Sequence, residues 1–181
     1  MEVIRGLHNL RAEHRGCVVT IGNFDGVHRG HQAILDQCRE QASKLGLPVA
    51  VVVFEPQPRE FFAGDQAPPR LTRLREKVRL LGENGVDYVL CLPFNEHLRS
   101  LTAVEFVERV LVRGLGVRHL VVGDDFRFGC DRRGDFNLLA EVGEALGFPP
   151  ERRFPSVLDA IEALRPEAVV VCTPNHTHAA L

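Results

Sequence analysis

The chain has 181 residues, of which 45% are hydrophobic and 25% charged, enough for one domain with a buried core and too little for two full catalytic domains. Its 22 basic and 24 acidic residues leave a formal charge of -2, so there is no broad basic field for nucleic acid or an anionic membrane, and any phosphate site must be local. The five cysteines, Cys17, Cys38, Cys91, Cys130 and Cys172, are scattered and form no CxxC pair, a pattern of reduced thiols rather than of a disulfide framework.

Met1 to Leu10 is interrupted by Glu2, Arg5 and His8 and does not read as a secretion signal. Nothing later reaches the length of a membrane span, so a cytoplasmic protein is expected, folded as one domain over 1–181. Cys17 to Ile21 is an apolar run closed by Gly22, and Ile34, Leu35, Cys38, Ala42 and Leu45 then fall at helical spacing before Gly46 and Pro48. Val49 to Phe54 is almost wholly apolar and β-branched, as a central parallel strand should be. After a proline-rich stretch, Thr72 is expected to cap a helix with Leu74, Val78 and Leu81 on its apolar stripe, ending near Gly85. Tyr88 to Leu92 reads as a strand, Thr102 and Glu105 as a capping box ahead of Phe106, Val107, Val110 and Leu111, and His119 to Gly123 as another strand. Asp135 is placed to cap a helix over Phe136 to Leu146.

Alternation of strand and helix predicts a Rossmann-like α/β/α sandwich, three layers deep, around a parallel sheet of about five strands. Ligands should then sit at the C-terminal ends of the strands. Directly after the Cys17 to Ile21 strand comes Gly22-Asn23-Phe24-Asp25-Gly26-Val27-His28-Arg29-Gly30-His31, which runs into a helix N-terminus, where backbone N–H groups favour anions and glycines permit close approach. His28 and His31, three residues apart at a helix start, can face one side and donate to a single polyphosphate. Taken bare, such a pair is more often structural or incidental; the ten-residue context reverses that.

That segment resembles the HxGH motif of the nucleotidylyltransferase superfamily, and GNFDGVHRGH is similar to the wording in the FMN adenylyltransferase (FAD synthetase) part of bacterial bifunctional riboflavin kinase/FMN adenylyltransferases. Further blocks match in order: Phe54-Glu55-Pro56-Gln57-Pro58-Arg59-Glu60-Phe61-Phe62, Arg70-Leu71-Thr72 with Arg75-Glu76-Lys77, and Val122-Gly123-Asp124-Asp125-Phe126-Arg127-Phe128-Gly129. The resemblance covers most of residues 1–147 and implies transfer of AMP from ATP to FMN, giving FAD and pyrophosphate. It implies His28 and His31 as catalytic residues, with Gly22, Asn23, Phe24, Asp25, Gly26 and Gly30 around ATP, and Pro56, Pro58, Phe62, Asp125 and Arg127 around FMN. Magnesium is expected to arrive with ATP, no protein-built metal site is visible, and the partners are small-molecule nucleotides. Asp25 reads either as support for the loop or as a contact to magnesium-bound water. Phe54 is either a core or a flavin residue, and Arg127 pairs either with phosphate or with an aspartate of its own loop.

Beyond Gly147 the pattern changes. The family's Ser-Ser-Thr-x-x-Arg segment has no counterpart here, since Ser156 stands alone and Arg165 precedes a proline, and its riboflavin kinase domain is absent from these residues. The tail reads instead as a capping box at Ser156 to Asp159, a short helix to Leu164, a strand over Ala168 to Cys172, and Thr173-Pro174-Asn175-His176-Thr177-His178. It is similar to a fragment of the family of glucose-fructose oxidoreductase and inositol dehydrogenase, although the GxGxxG loop those enzymes need is not in this sequence. The expectation is a chimera joined near 147–154, whose foreign 148–181 segment closes the sheet, whether by recombination, engineering, natural fusion or misassembly. Activity should be weakened, and the alternative is a scaffold that binds nucleotide or flavin without turnover.

Overall fold

Five short strands build one parallel sheet: β1 (Glu2–Arg5), β2 (Val18–Ile21), β3 (Val49–Glu55), β4 (Tyr88–Pro93) and β5 (His119–Val121), in the order β1-β4-β3-β2-β5. The computed structural model describes residues 1–123, 126–130, 132–135, 137–139 and 141. β3 is central, and Val49 through Val53 are all buried, because helices cover the strand on both faces.

The helices are α1 (Arg29–Leu45), α2 (Pro58–Ala63), α3 (Leu74–Glu83), α4 (Glu96–Arg99) and α5 (Ala103–Phe106), the last continuing through Val107–Leu115 with the wider i→i+5 hydrogen bonding of a π-helix. Leu35, Cys38 and Ala42 of α1 and Leu81 of α3 pack with Val18, Val51 and Val53 on one face of the sheet. Phe106, Val110, Leu111 and Leu115 pack with Val19, Ile21, Ala50 and Val52 on the other. The expected three-layer α/β/α arrangement is therefore present. α1 and α3 carry the chain from β2 to β3 and on to β4 across one face, whereas α5 crosses the other face and delivers β5 to the far side of β2. The direction of winding reverses at β2, so the crevice of an open α/β sheet opens at the C-terminal end of that strand.

Two elements differ from expectation. The fifth strand among the described residues is β1, not a piece of the tail; the strand expected over Ala168 to Cys172 lies outside the described residues, as does the joint near 147–154. β1 is fastened by His14, fully buried, whose Nδ1 accepts from the Arg11 N–H at 3.0 Å and whose Nε2 lies 3.3 Å from the Glu2 carboxylate. Thr72 does not cap α3; Arg73 holds that position, and the Thr72 hydroxyl serves the loop after β2 instead. The Thr102/Glu105 box is present, with both reciprocal bonds made, and Asp135 Oδ1 accepts from the Leu138 N–H at 3.0 Å, as a helix cap should. No helix among the described residues is long and apolar enough to cross a membrane.

Candidate active site

The loop after β2 is strained and held in place. Phe24, Gly26 and Val27 have φ of 47°, 75° and 39°, a left-handed run that a phenylalanine and a β-branched valine rarely adopt. Such backbone persists only where its surroundings over-determine it. Here the Phe24 and Val27 side chains are buried in the core, and Asp25 binds the segment before α3: its Oδ2 accepts from Leu71 N–H at 2.9 Å, and its Oδ1 from Thr72 N–H at 2.8 Å and from the Thr72 hydroxyl at 3.0 Å. The Gly26 N–H donates back to Thr72 Oγ1 at 2.9 Å. Burial pushes the Asp25 carboxyl up, but these three hydrogen bonds and the charge of Lys77 outweigh it, so its pKa lies below the ordinary value.

The loop delivers His28 as the N-cap of α1, with His31 one turn on. Their rings stack with centroids 3.7 Å apart and planes 21° apart, and Phe24 lies against His31 at 4.7 Å. His28 Nδ1 accepts from the His31 backbone N–H at 3.4 Å, so the neutral ring carries its proton on Nε2 and presents that nitrogen as a donor. The Nδ1 of His31 is buried without a partner. Burial, then the neighbouring His28, lower the His31 pKa to about 3, with Lys77 adding and Asp25 opposing. His28 is shifted the same way by desolvation, against the pull of Asp25. Both imidazoles are thus uncharged near neutrality.

Glycine is required at two of these positions for different reasons. A side chain at Gly26 would combine a positive φ with a Cβ 3.0 Å from Leu71 Cδ1, while a Cβ at Gly30 would press on the His28 ring, 3.3 Å from both Cε1 and Nδ1. The x-Gly-His spacing therefore leaves room for the first imidazole to stack on the second.

Beside this loop, β3 runs into Glu55 and a cis bond to Pro56, and Pro58 opens α2, where its fixed φ suits the first helical turn. α2 carries Phe61 and Phe62, which meet Phe94, at the end of β4, edge to face at 5.3 and 5.9 Å; Phe54 joins Phe94 from below at 5.9 Å. Phe62 is 64% exposed, and the Arg99 guanidinium stands 5.7 Å from its ring centre. Phe54 packs on the core and also touches this cluster. Arg70 bridges α2 to the sheet, binding Glu55 at 2.6 and 3.0 Å and also Glu60. The tripeptide Arg70-Leu71-Thr72 thereby grips both loops, one through Glu55 and Glu60 and the other through Asp25.

The segment after β5 brings Phe126 and Phe128 together, stacked at 5.3 Å, with Phe128 in the core against Phe106. Arg127 donates to the Phe126 carbonyl at 3.2 Å and lies 4.0 Å from the Asp135 carboxylate, a loose pair that leaves the guanidinium exposed. Asp125 lies outside the described residues. The described residues contain one group of possible metal ligands, Glu2, Glu13 and His14, at the start of β1 and at the opposite end of the sheet from these loops.

A sequence model of the FAD synthetase family matches residues 10–159. The chain belongs to the FAD synthetase family. It is 62% identical over 161 residues to a bifunctional riboflavin kinase/FMN adenylyltransferase of Pseudomonas fluorescens, covering 89% of this chain and 51% of that protein. The protein of that name from Escherichia coli K12 is 58% identical, with 82% of this chain and 48% of that one covered, and the one from Haemophilus influenzae is 46% identical, with 88% and 52% covered. The chain thus spans about half the length of these curated relatives. A solved structure of a macrolide-efflux protein from Streptococcus pneumoniae shares the fold at 28% identity and a TM-score of 0.64, covering 74% of this chain and 44% of that one. The family match runs past Gly147, through the stretch where a joint was expected.

Within this FAD synthetase framework, the structure places Gly22, Asn23, Phe24, Asp25, Gly26, His28, Gly30 and His31 along the loop after β2 and the first turn of α1, and Pro56, Pro58 and Phe62 just after the neighbouring β3, the last two on α2. Sequence reasoning missed Phe94 and Arg99. Their signal was weak, because an aromatic just past a strand and an arginine on a four-residue helix stand out only once β3 and β4 are known to be neighbours.

Proposed function

We propose that this chain joins AMP from ATP to FMN, forming FAD and releasing pyrophosphate. The observation that carries the reading is the stacked, uncharged His28–His31 pair at the N-terminus of α1, held by a strained glycine loop beside an exposed aromatic platform. In this reading a phosphate oxygen of FMN forms a bond to the α-phosphorus of ATP while the bond from that phosphorus to the bridging oxygen breaks, and pyrophosphate departs with the electron pair. His28 and His31 donate to the leaving phosphates as charge grows there, and α1 adds its N-terminal field. Phe62, with Pro56 and Pro58 shaping its loop, offers a face to the flavin ring, and Arg127 stands free enough to turn to a phosphate.

No covalent intermediate is needed. Burial pushes the Cys17 and Cys38 thiols up to about 12, so neither offers a thiolate, and the four described cysteines, Cys17, Cys38, Cys91 and Cys130, are all free, as suits the cytoplasm. Asp25 does not fit a metal ligand, because both of its oxygens are engaged by Leu71 and Thr72. Magnesium is read as arriving on the ATP phosphates, where it would neutralise charge.

The absence of a Ser-Ser-Thr-x-x-Arg segment favours slow turnover, by ~10²-fold or more if the loss resembles that of one oxyanion donor, and it supports the second reading of a nucleotide or flavin binder without catalysis. The oxidoreductase-like tail is in either case read as a foreign closing segment of the same domain. Incubating the chain with FMN and magnesium ATP and chromatographing for FAD tests both: FAD that disappears in His28→Ala and His31→Ala supports transfer, binding without FAD supports the binder, and neither binding nor FAD overturns both.

A further inference from the structure

Lys77 lies on α3 with 0% of its surface exposed, and its ammonium has no hydrogen-bond partner. A buried, unpaired ammonium is among the costlier things a fold can carry, and proteins seldom keep one without a use. Its surroundings explain why it is unpaired. Asp25, Glu55 and Glu60 are near enough to interact with its charge, yet Asp25 is bound by Leu71 and Thr72, and Glu55 and Glu60 are bound by Arg70. His31 and Cys91 also feel the charge. α3 packs on the turn Asp25–Val27, so its buried ammonium lies on the side of the loop after β2, and the carboxylates that sense its charge are each already held by another donor.

We propose that Lys77 is the cation that takes up the phosphate of the flavin mononucleotide and holds it against the loop after β2. The inference rests on the proposed FMN adenylyltransferase reading and adds a residue to it. In that reaction the phosphate of FMN must leave the aromatic platform and come close to the α-phosphate of ATP, so two anions are brought together at the junction of the two loops. Spare N–H donors are needed there, and Lys77 has them. Its ammonium is the tip of a flexible four-carbon stem, so a change of rotamer carries it from its covered position to an arriving phosphate. Lys77 takes no part in bond making: the oxygen of FMN still attacks phosphorus, and pyrophosphate still leaves with the electron pair.

The test compares FMN with riboflavin, which carries the same ring and no phosphate, by fluorescence titration of the full chain and of its Lys77→Met and Lys77→Arg variants. The wild-type chain is expected to prefer FMN, Lys77→Met to lower that preference about tenfold or more with riboflavin affinity unchanged, and Lys77→Arg to keep most of it. Lys77→Met should melt no lower than wild type, because it removes an unpaired buried charge, whereas a merely structural lysine would leave a destabilised variant and an unchanged preference. If Lys77→Met fails to fold, Lys77→Gln replaces it. An unaltered preference, or equal weakening of both flavins, overturns the role of Lys77 while leaving the flavin reading in place. Weakened magnesium ATP binding with the FMN preference intact assigns the residue to the other substrate and also overturns it. A wild-type chain that binds neither flavin overturns the underlying reading as well.

Discussion

Thr72 Oγ1 donates to Asp25 Oδ1 at 3.0 Å and accepts from the Gly26 N–H at 2.9 Å, so one hydroxyl fastens the loop after β2 to the start of α3. Thr72→Val keeps the shape and removes both bonds, leaving a backbone N–H without its partner in a strained turn. A loss of about 1–3 kcal/mol in urea unfolding is expected, with a higher KM for ATP and little change in the KM for FMN. Equal rises in both constants would show that the hydroxyl serves the whole site rather than this loop.

His31 predicts how stability depends on pH. Its folded pKa of about 3 lies below the 6.5 of an unperturbed imidazole, so between those values the unfolded chain binds a proton that the folded chain does not. The contribution is complete above pH 6.5 and declines as the pH is lowered toward 3. Melting temperatures measured at pH 7.5 and pH 5 should fall less steeply for His31→Asn than for the wild type; parallel curves would place the acid sensitivity elsewhere.

Gly30→Ala separates folding from chemistry. Within α1, alanine is the better helix former by up to about 1 kcal/mol, while its Cβ would sit 3.3 Å from His28 Cε1 and Nδ1 and tilt that ring off its stack. Thermal stability should hold or rise while the rate of FAD formation drops by ~10²-fold, as for a displaced oxyanion donor. A variant with wild-type turnover would remove His28 stacking from the account.

Phe62 is exposed enough for its removal to leave the fold alone. Phe62→Ala should change unfolding free energy by no more than about 0.5 kcal/mol, yet raise the dissociation constant for FMN by about threefold to tenfold through lost ring contact. Unchanged FMN titration would move the flavin platform to Phe94 or away from α2 altogether.

The sheet was legible because β3 is a continuous buried apolar run and because α1 and α5 carry plain stop or start signals, Gly46 and the Thr102/Glu105 box. β1 was not legible, since Glu2 and Arg5 flank only two apolar residues and the strand exists through its pairing with β4 and the buried His14. Thr72 was misjudged for a related reason: its hydroxyl precedes a helix, as a cap does, but Asp25, 47 positions earlier, claims it. The motif from Gly22 to His31 stood out in the sequence, whereas nothing local announced that Lys77 on α3 would be buried without a partner. Contacts between distant segments are what one-dimensional periodicity leaves out.

The stack of His28 on His31 has a consequence for selectivity in the proposed site. Two unprotonated rings 3.7 Å apart offer no standing positive charge, so chloride or a lone phosphate in the surrounding solution gains little by docking there. A polyphosphate, spanning both rings and the end of α1, can instead accept from several neutral N–H donors at once. At these two rings, discrimination would then come from span and donor geometry rather than from a fixed charge on the imidazoles.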